Sequence, residues 1–375
     1  MSLQLSNKFL QKKLSTKLPN ERCQYPRAEP WTQAAMAAYS AAGPRGILTF
    51  RSLHSLGNGT NKLSRSTHPF ENKYPVILLF GPTGVGKTDL IFKLFTDKFE
   101  VINSDSMQVY RGMDIGSAKP STLVLDQIPH HLIDIMLPSE QFNAGIFVNL
   151  ADRLIPEILG RGKIPVISGG TAFYFKSFLY GLPELPEVSS EVRESLQREL
   201  EKRGLESMYR ELQKIDPVRA GQLEPGDSYR ILRALEVFHS SGSTLSSYKV
   251  PESLRRGINP LVIGLTRSRN ELYERINMRV DLMMHSGLQE EVKRLVEEGY
   301  TESDPGMKGI GYSEFFLQAR TGEFTIQDVT ELIKRNSRRY AKRQLTFFKK
   351  LPGVRWFIPE DEKISETVNS FLKNV

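Results

Sequence analysis

The sequence predicts an α/β protein with a P-loop NTPase-like parallel sheet, flanked by helices and interrupted by a helical insertion domain. Three observations carry this expectation. A glycine-rich loop, "FGPTGVGKT" at residues 80–88, follows a short apolar run and precedes a helical pattern. Three further apolar, β-branched runs alternate with helical stretches, as strands do in parallel sheets. Between residues 183 and 257 the texture changes to charged, helix-favouring sequence with proline-marked edges.

The first strand is "PVILLF", residues 75–80, a buried run between polar segments. The loop after it contains Gly81, Pro82, Thr83, Gly84, Val85, Gly86, Lys87 and Thr88 in the pattern G-x-x-x-x-G-K-T. Such a loop turns its N–H groups inward around a phosphate chain; Lys87 reaches the terminal phosphates and the Thr88 hydroxyl is placed to ligate Mg²⁺. ATP is the usual occupant of a nucleotide-binding loop of this kind, yet nothing in it says whether phosphate is transferred, hydrolysed or expelled. The second strand reads at "FEVINSDS" (99–106), the third at "KIPVIS" (163–168) before Gly169 and Gly170, and the fourth at "PLVIGLT" (260–266). Ligands of such sheets bind beyond the strand C-termini, so the three turns that follow the first three strands share one crevice.

The expected division is a basic, disordered leader over residues 1–73, a catalytic core from 74–182 plus 258–375, and the insertion at 183–257. The net charge of +8 sits on the leader: residues 1–70 hold ten Lys and Arg against Glu21 and Glu29, and the remainder carries 41 of each sign. Bulk charge therefore does not argue for nucleic acid; a local cluster must. The leader is acid-poor with Arg and Ser, but long and poorly amphipathic, so cytoplasmic placement is preferred to organellar targeting. The one cysteine, Cys23, excludes an internal disulfide and a cysteine zinc site. No run approaches the ~18 apolar residues of a membrane helix.

Asp105, in "INSDSMQVYRG", has three readings: a metal-ligating carboxylate, a general base, or a turn residue. Arg230 and Arg233 share a helix face. Asp227 or Ser228 is the expected cap, and Leu232, Leu235 and Phe238 the core face. On these residues alone a solvated surface is the better account of the arginines. In "RRYAKRQLTFFKK" (338–350), Arg338, Arg339, Lys342, Arg343, Lys349 and Lys350 fall within one helical arc, opposite Tyr340, Ala341, Leu345, Phe347 and Phe348. Gln344 is the single polar residue on the apolar side. So dense a cationic stripe suits a phosphate backbone. Arg275 and Arg279, four apart on a helix after the fourth strand, either aim at phosphates in the crevice or pair along the helix surface, as Arg275 would with Glu271. The six histidines offer no metal pattern.

From residue 76 onward, "GPTGVGKT", "NSDSMQVYRGMDIGSAKP", "PHHLIDI", "SGGTAFYFKSFLYGL", "YRILRALEV", "RINMRVDLM", "GIGYSEF" and "AKRQLTFFKK", in that order, closely resemble the bacterial-type tRNA dimethylallyltransferase (isopentenyl-tRNA transferase) family. The resemblance implies a prenyltransferase acting with Mg²⁺, and a monomer matched to one tRNA is the simpler expectation. It would move the dimethylallyl group of dimethylallyl diphosphate to N6 of adenine 37 in tRNAs that read codons beginning with U. By match, Asp105 is the base, Arg279 assists the departing diphosphate, and Thr171 lies near base and diphosphate. Matched tRNA contacts are Asp105, Ser106, Met107, Gln108, Thr171, Arg193, Tyr229, Arg230, Ile231, Leu232 and Arg233 in the first half. They continue with Lys308, Gly309, Ile310, Gly311, Tyr312, Ser313, Lys342, Arg343, Gln344, Leu345, Thr346, Phe347, Phe348 and Lys349. Ser117 and Ser313 depart from the family, which usually has Thr at the first position and often a basic residue at the second. Three rivals remain at this point: an adenylate isopentenyltransferase acting on free AMP, ADP or ATP, a P-loop small-molecule kinase, and a non-catalytic RNA-binding module.

Overall fold

The computed structural model describes residues 73–375 except 96 and 250. The leader expectation and Cys23 lie outside the described residues. The chain forms two compact units, Ser177–Arg255 and the chain on either side of it.

The larger unit is built on a six-stranded, wholly parallel sheet: β1 (Tyr74–Phe80), β2 (Phe99–Asn103), β3 (His130–His131), β4 (Ile164–Gly169), β5 (Ile258–Leu265) and β6 (Arg355–Phe357), in the order β3-β2-β4-β1-β5-β6. The loop-bearing strand β1 is central, and its residues 76–80 are completely buried, as a continuous apolar run in a two-sided sheet requires. Its register against β4 ends at Phe80 opposite Gly169. The four strands read from the sequence are present. The edge strands β3 and β6 were not foreseen, because runs of two and three residues have no period to detect. The second strand also stops at Asn103, short of residue 106. Asn103 Oδ1 accepts from the Asp105 N–H (3.3 Å) and Asp105 Oδ1 from the Met107 N–H (2.9 Å), so side-chain turns replace the ladder.

Helices cover the sheet: α1 (Lys87–Leu94), α2 (Thr122–Gln127), α3 (Ala144–Gly160) and α4 (Ala172–Tyr180), then, after the smaller unit, α9 (Arg269–His285), α10 (Leu288–Glu297), α11 (Ser313–Ala319), α12 (Ile326–Phe348) and α13 (Lys363–Leu372). The helix α12 begins with a reciprocal capping box between Thr325 and Asp328. It ends with Phe348 stacked on Phe80 of β1, ring centroids 4.3 Å apart, while Phe175 meets both rings edge-on. The α12 charge pattern is thereby fixed in rotation: Arg339, Lys342, Arg343, Lys349 and Lys350 are exposed, and Ala341, Gln344 and Phe348 are buried.

One buried carboxylate organises the segment after β2. Glu291 on α10 accepts from the N–H groups of Asp114 (2.9 Å), Ile115 (2.8 Å) and Gly116 (3.1 Å) and from the Tyr312 hydroxyl (2.7 Å). Replacing it by Ala orphans three backbone donors at once. Glu291→Ala is expected to lose about 3 kcal/mol or more of stability, read as a lower denaturation midpoint at unchanged slope.

The smaller unit is helical: α5 (Ser190–Arg203), α6 (Leu205–Ile215), α7 (Pro217–Ala220) and α8 (Ser228–Ser241) enclose Leu196, Met208, Leu212, Ile231, Ala234 and Leu235. Asp227 is the cap of α8, its carboxylate accepting from the Arg230 N–H. The buried line of α8 differs from the expected one. Ile231, Ala234, Leu235 and Val237 are buried, whereas Leu232 and Phe238 lie at the margin. Among the described residues, no helix is long and apolar enough to cross a membrane.

Candidate active site

Beyond the C-terminal ends of β1, β2 and β4 lies a cavity of about 780 Å³, formed wholly by the larger unit. The phosphate loop is one wall. Gly84 (φ 80°) and Gly86 (φ 106°) take left-handed backbone angles that L side chains rarely adopt, and α1 starts directly after Gly86. Lys87 curls back over the loop, its ammonium donating to the carbonyls of Gly81 (2.9 Å) and Pro82 (3.1 Å). Burial there pushes its pKa down to about 8; Asp105 opposes this and Arg279 adds to it. Thr88 is exposed in the first turn of α1 and lines the same cavity.

Three arginines bond to the loop. Arg267 donates to the Val85 carbonyl (2.8 Å), Arg275 to the Gly84 carbonyl (2.9 Å), and Arg279 to Thr83 Oγ1 (3.1 Å). Arg275 lines the cavity and also lies 3.8 Å from Asp89, while Glu271 is engaged by Arg267. Arg267 was not picked out from the sequence, since it stands in the short link before α9, outside any periodic pattern.

The facing wall comes from the turns after β2 and β4. Asp105, Ser106, Met107 and Gln108 line the cavity. Thr171 ties the turns together: its N–H donates to the Ser104 carbonyl (3.2 Å), and its Oγ1 accepts from the Ser106 N–H (3.0 Å). Lys308, Gly309, Ile310 and Gly311 line a further side, while Tyr312 is fully buried with its hydroxyl on Glu291 and Ser313 opens α11.

The last side is α12, whose Tyr340, Arg343 and Gln344 reach the cavity. Tyr340 went unrecognised as a site residue because its helical position reads as core. In fact its phenol contacts Thr171 and Gln344; burial, with the charge of Asp105 adding, pushes its pKa up to about 12, so it stays protonated. On the outer face of α12, Arg339, Lys342, Arg343, Thr346, Phe347 and Lys350 frame a shallow groove. Arg343 borders both cavities. Lys349 is exposed, Leu345 half-buried, and Phe348 lies in the core.

The other matched positions belong to the helical unit. There Arg193, Tyr229 and Arg230 are exposed, Leu232 and Arg233 half-buried, and Ile231 fully buried. Arg230 and Arg233 pair with Asp227 and Glu236, at 3.0 Å each.

This geometry offers an anion-holding loop, a carboxylate across the same cavity, and an adjoining cationic helix face. A family model described as IPP transferase matches residues 108–351. The chain is 44% identical over 287 residues to the tRNA dimethylallyltransferase of Bacillus subtilis, covering 76% of this chain and 91% of that protein. To that of Alkaliphilus metalliredigens it is 43% identical over 305 residues, covering 81% and 97%. Among solved structures, it resembles the full-length tRNA isopentenylpyrophosphate transferase of Bacillus halodurans, with TM-score 0.57, 37% identity, and coverage of 80% and 98%. It also resembles a eukaryotic dimethylallyltransferase acting on tRNA, with TM-score 0.64, 28% identity, and coverage of 80% of each chain. With the family model spanning more than half of its residues and relatives above 40% identical along nearly their full length, the chain belongs to the IPP transferase family of tRNA dimethylallyltransferases.

Proposed function

We propose that the protein transfers the dimethylallyl group of dimethylallyl diphosphate to the exocyclic N6 of adenine 37 in tRNAs that read codons beginning with U. The observation that carries this reading is the single cavity that joins the phosphate loop, Asp105 and, through Arg343, the cationic face of α12. Adenine N6 is a weak nucleophile because its lone pair is delocalised into the ring. Asp105 takes the N6 proton as the N6–C1 bond forms. The C1–O bond breaks, and its electron pair leaves with pyrophosphate. Loop N–H groups, Lys87 and Arg279 supply fixed positive charge where the negative charge grows.

The target base leaves its stack to enter the cavity, while Lys342, Arg343 and Lys349 hold the RNA backbone. The exposed Arg193, Tyr229 and Arg230 of the helical insertion are further RNA contacts in this reading. The fully buried Ile231, Tyr312 and Phe348 then act by holding their elements in place.

The donors at the site fit magnesium. Thr88 offers one hydroxyl beside the loop, and Mg²⁺ characteristically completes its shell with substrate phosphates and water. Among the described residues, no group of three His, Cys, Asp or Glu forms a protein-only metal site. When bound, the ion supplies Lewis-acid charge to the departing diphosphate.

The test pairs two acceptors with radiolabelled dimethylallyl diphosphate and Mg²⁺: unmodified tRNA with A36-A37-A38, and free AMP. Label in tRNA alone is the expected result. Label in AMP would move the protein to nucleotide prenylation. No label in either, with consumption of ATP supplied in a parallel sample, would mean that the loop holds a nucleoside triphosphate.

A further inference from the structure

Gln344 is 4% exposed on the inner face of α12, and both ends of its carboxamide are spent on backbone. Its Oε1 accepts from the Thr83 N–H (2.9 Å), and its Nε2 donates to the Gly170 carbonyl (2.7 Å). Thr83 belongs to the phosphate loop that leaves β1. Gly170 belongs to the turn that leaves β4 and leads directly to Thr171. These strands are neighbours whose register ends at Phe80 opposite Gly169. Past that point no ladder bond fixes their spacing, and Gln344 supplies a side-chain rung. Gly170 leaves the room for it: a Cβ there would stand 2.5 Å from Gln344 Nε2. Tyr340, one turn earlier, contacts Thr171 and Gln344 from the same helix.

We propose that Gln344 is a positioning residue, setting the separation between the diphosphate side of the cavity and its base side while touching neither substrate. The inference rests on the transfer reaction proposed above. In that reaction the prenyl carbon and N6 must meet at about 3–3.5 Å, and a misplacement of about 1 Å costs on the order of 10²-fold in rate. A neutral amide is required, since one backbone partner is a donor and the other an acceptor. Glutamate in its place would set an oxygen against the Gly170 carbonyl, and methionine would leave both backbone groups without a partner. The resemblance assigned Gln344 to RNA contact; its burial and its bonds assign it to the interior of the site.

The test compares Gln344→Met and Gln344→Glu with the full-length wild type in three measurements: kcat for transfer, tRNA Kd, and Kd for inorganic pyrophosphate with Mg²⁺ by calorimetry. The expected result is a kcat lower by about 10–100-fold, pyrophosphate binding weaker by about 3–10-fold as the loop loses its brace, and tRNA Kd within threefold. Gly170→Ala disturbs the same rung from the other side. It is expected to lower kcat in a way that does not add to Gln344→Met, as residues in one contact do not. Circular dichroism at the assay temperature keeps folded variants in the comparison. A Gln344→Met protein with kcat within twofold of wild type overturns the proposal. So does one with intact kcat and a tRNA Kd raised more than tenfold, which makes Gln344 an RNA contact. If wild type itself transfers nothing to tRNA, the proposed reaction fails, and pyrophosphate affinity alone decides: weakened in Gln344→Met, the rung stands; unchanged, it falls.

Discussion

Asp105→Asn is expected to lower prenyl transfer to tRNA about 10³-fold, equivalent to about 4 kcal/mol of barrier, while tRNA affinity stays within threefold. Asparagine is the informative substitution because Asp105 has two jobs. Its Oδ1 holds the Met107 N–H at 2.9 Å, which shapes the turn after β2. Asn retains that acceptor and loses only the basic oxygen. Single-turnover transfer and filter-binding of tRNA separate the two jobs. A rate within tenfold of wild type would leave Asp105 as a turn residue, with the N6 proton going elsewhere.

The second large effect concerns Lys87. Lys87→Met is expected to reduce kcat/KM for dimethylallyl diphosphate by about 10²–10³-fold, because the fixed charge facing the departing diphosphate is removed from a partly dry loop. It also has a pH signature. In the free protein the ammonium has a pKa of about 8, depressed by burial. A bound diphosphate favours the charged form and raises that pKa. Below about pH 7 Lys87 is already protonated, so binding takes up no proton through it. As pH rises above about 8, binding must first protonate it, and affinity falls by up to about tenfold per unit. Calorimetry of pyrophosphate binding in buffers of different ionisation enthalpy should show this proton uptake between pH 8 and 9 in wild type. The Lys87→Met protein should lack it, and the difference between the two isolates Lys87 from the titration of pyrophosphate itself. Equal proton uptake in both would place the charge on another group.

The sheet was legible wherever strands are long and buried on both faces. β1 and β5 announce themselves as unbroken apolar runs, and the glycine loop names its own place after β1. The two edge strands are too short to carry a pattern, and they pair only because the sheet is already there. The end of β2 was misread because Asn103 and Asp105 close side-chain turns, which depend on rotamers and not on apolar spacing. At the site, residues with a motif were found and residues with only a contact were not. Arg267 lies in a link without periodicity. Tyr340 sits where a helical wheel predicts core, and it is indeed half-buried, but against Thr171 and Gln344. Gln344 did leave a signal as the one polar residue on an apolar face. Its direction could be read from the sequence, but its partners could not, since Thr83 and Gly170 come close only through the pairing of β1 with β4.

The helix α12 is anchored in its first half by Lys334 on Asp281 of α9 (2.8 Å) and Asn336 on Glu314 of α11 (2.7 Å), and at its end by the Phe348 stack on β1; its inner face carries Gln344 and its outer face the exposed Arg339, Lys342 and Lys350. Its 23 residues span about 34 Å at the α-helical rise. Because it is held at both places, the helix cannot absorb a change of register by sliding or turning. One inserted residue would rotate everything beyond it by about 100°, swinging the lysines toward the sheet and Gln344 toward water. Substitutions on this helix can therefore accumulate independently on its two faces, whereas insertions and deletions strike both at once. Length, more than any single side chain, is what the segment from Ile326 to Phe348 has least freedom to change.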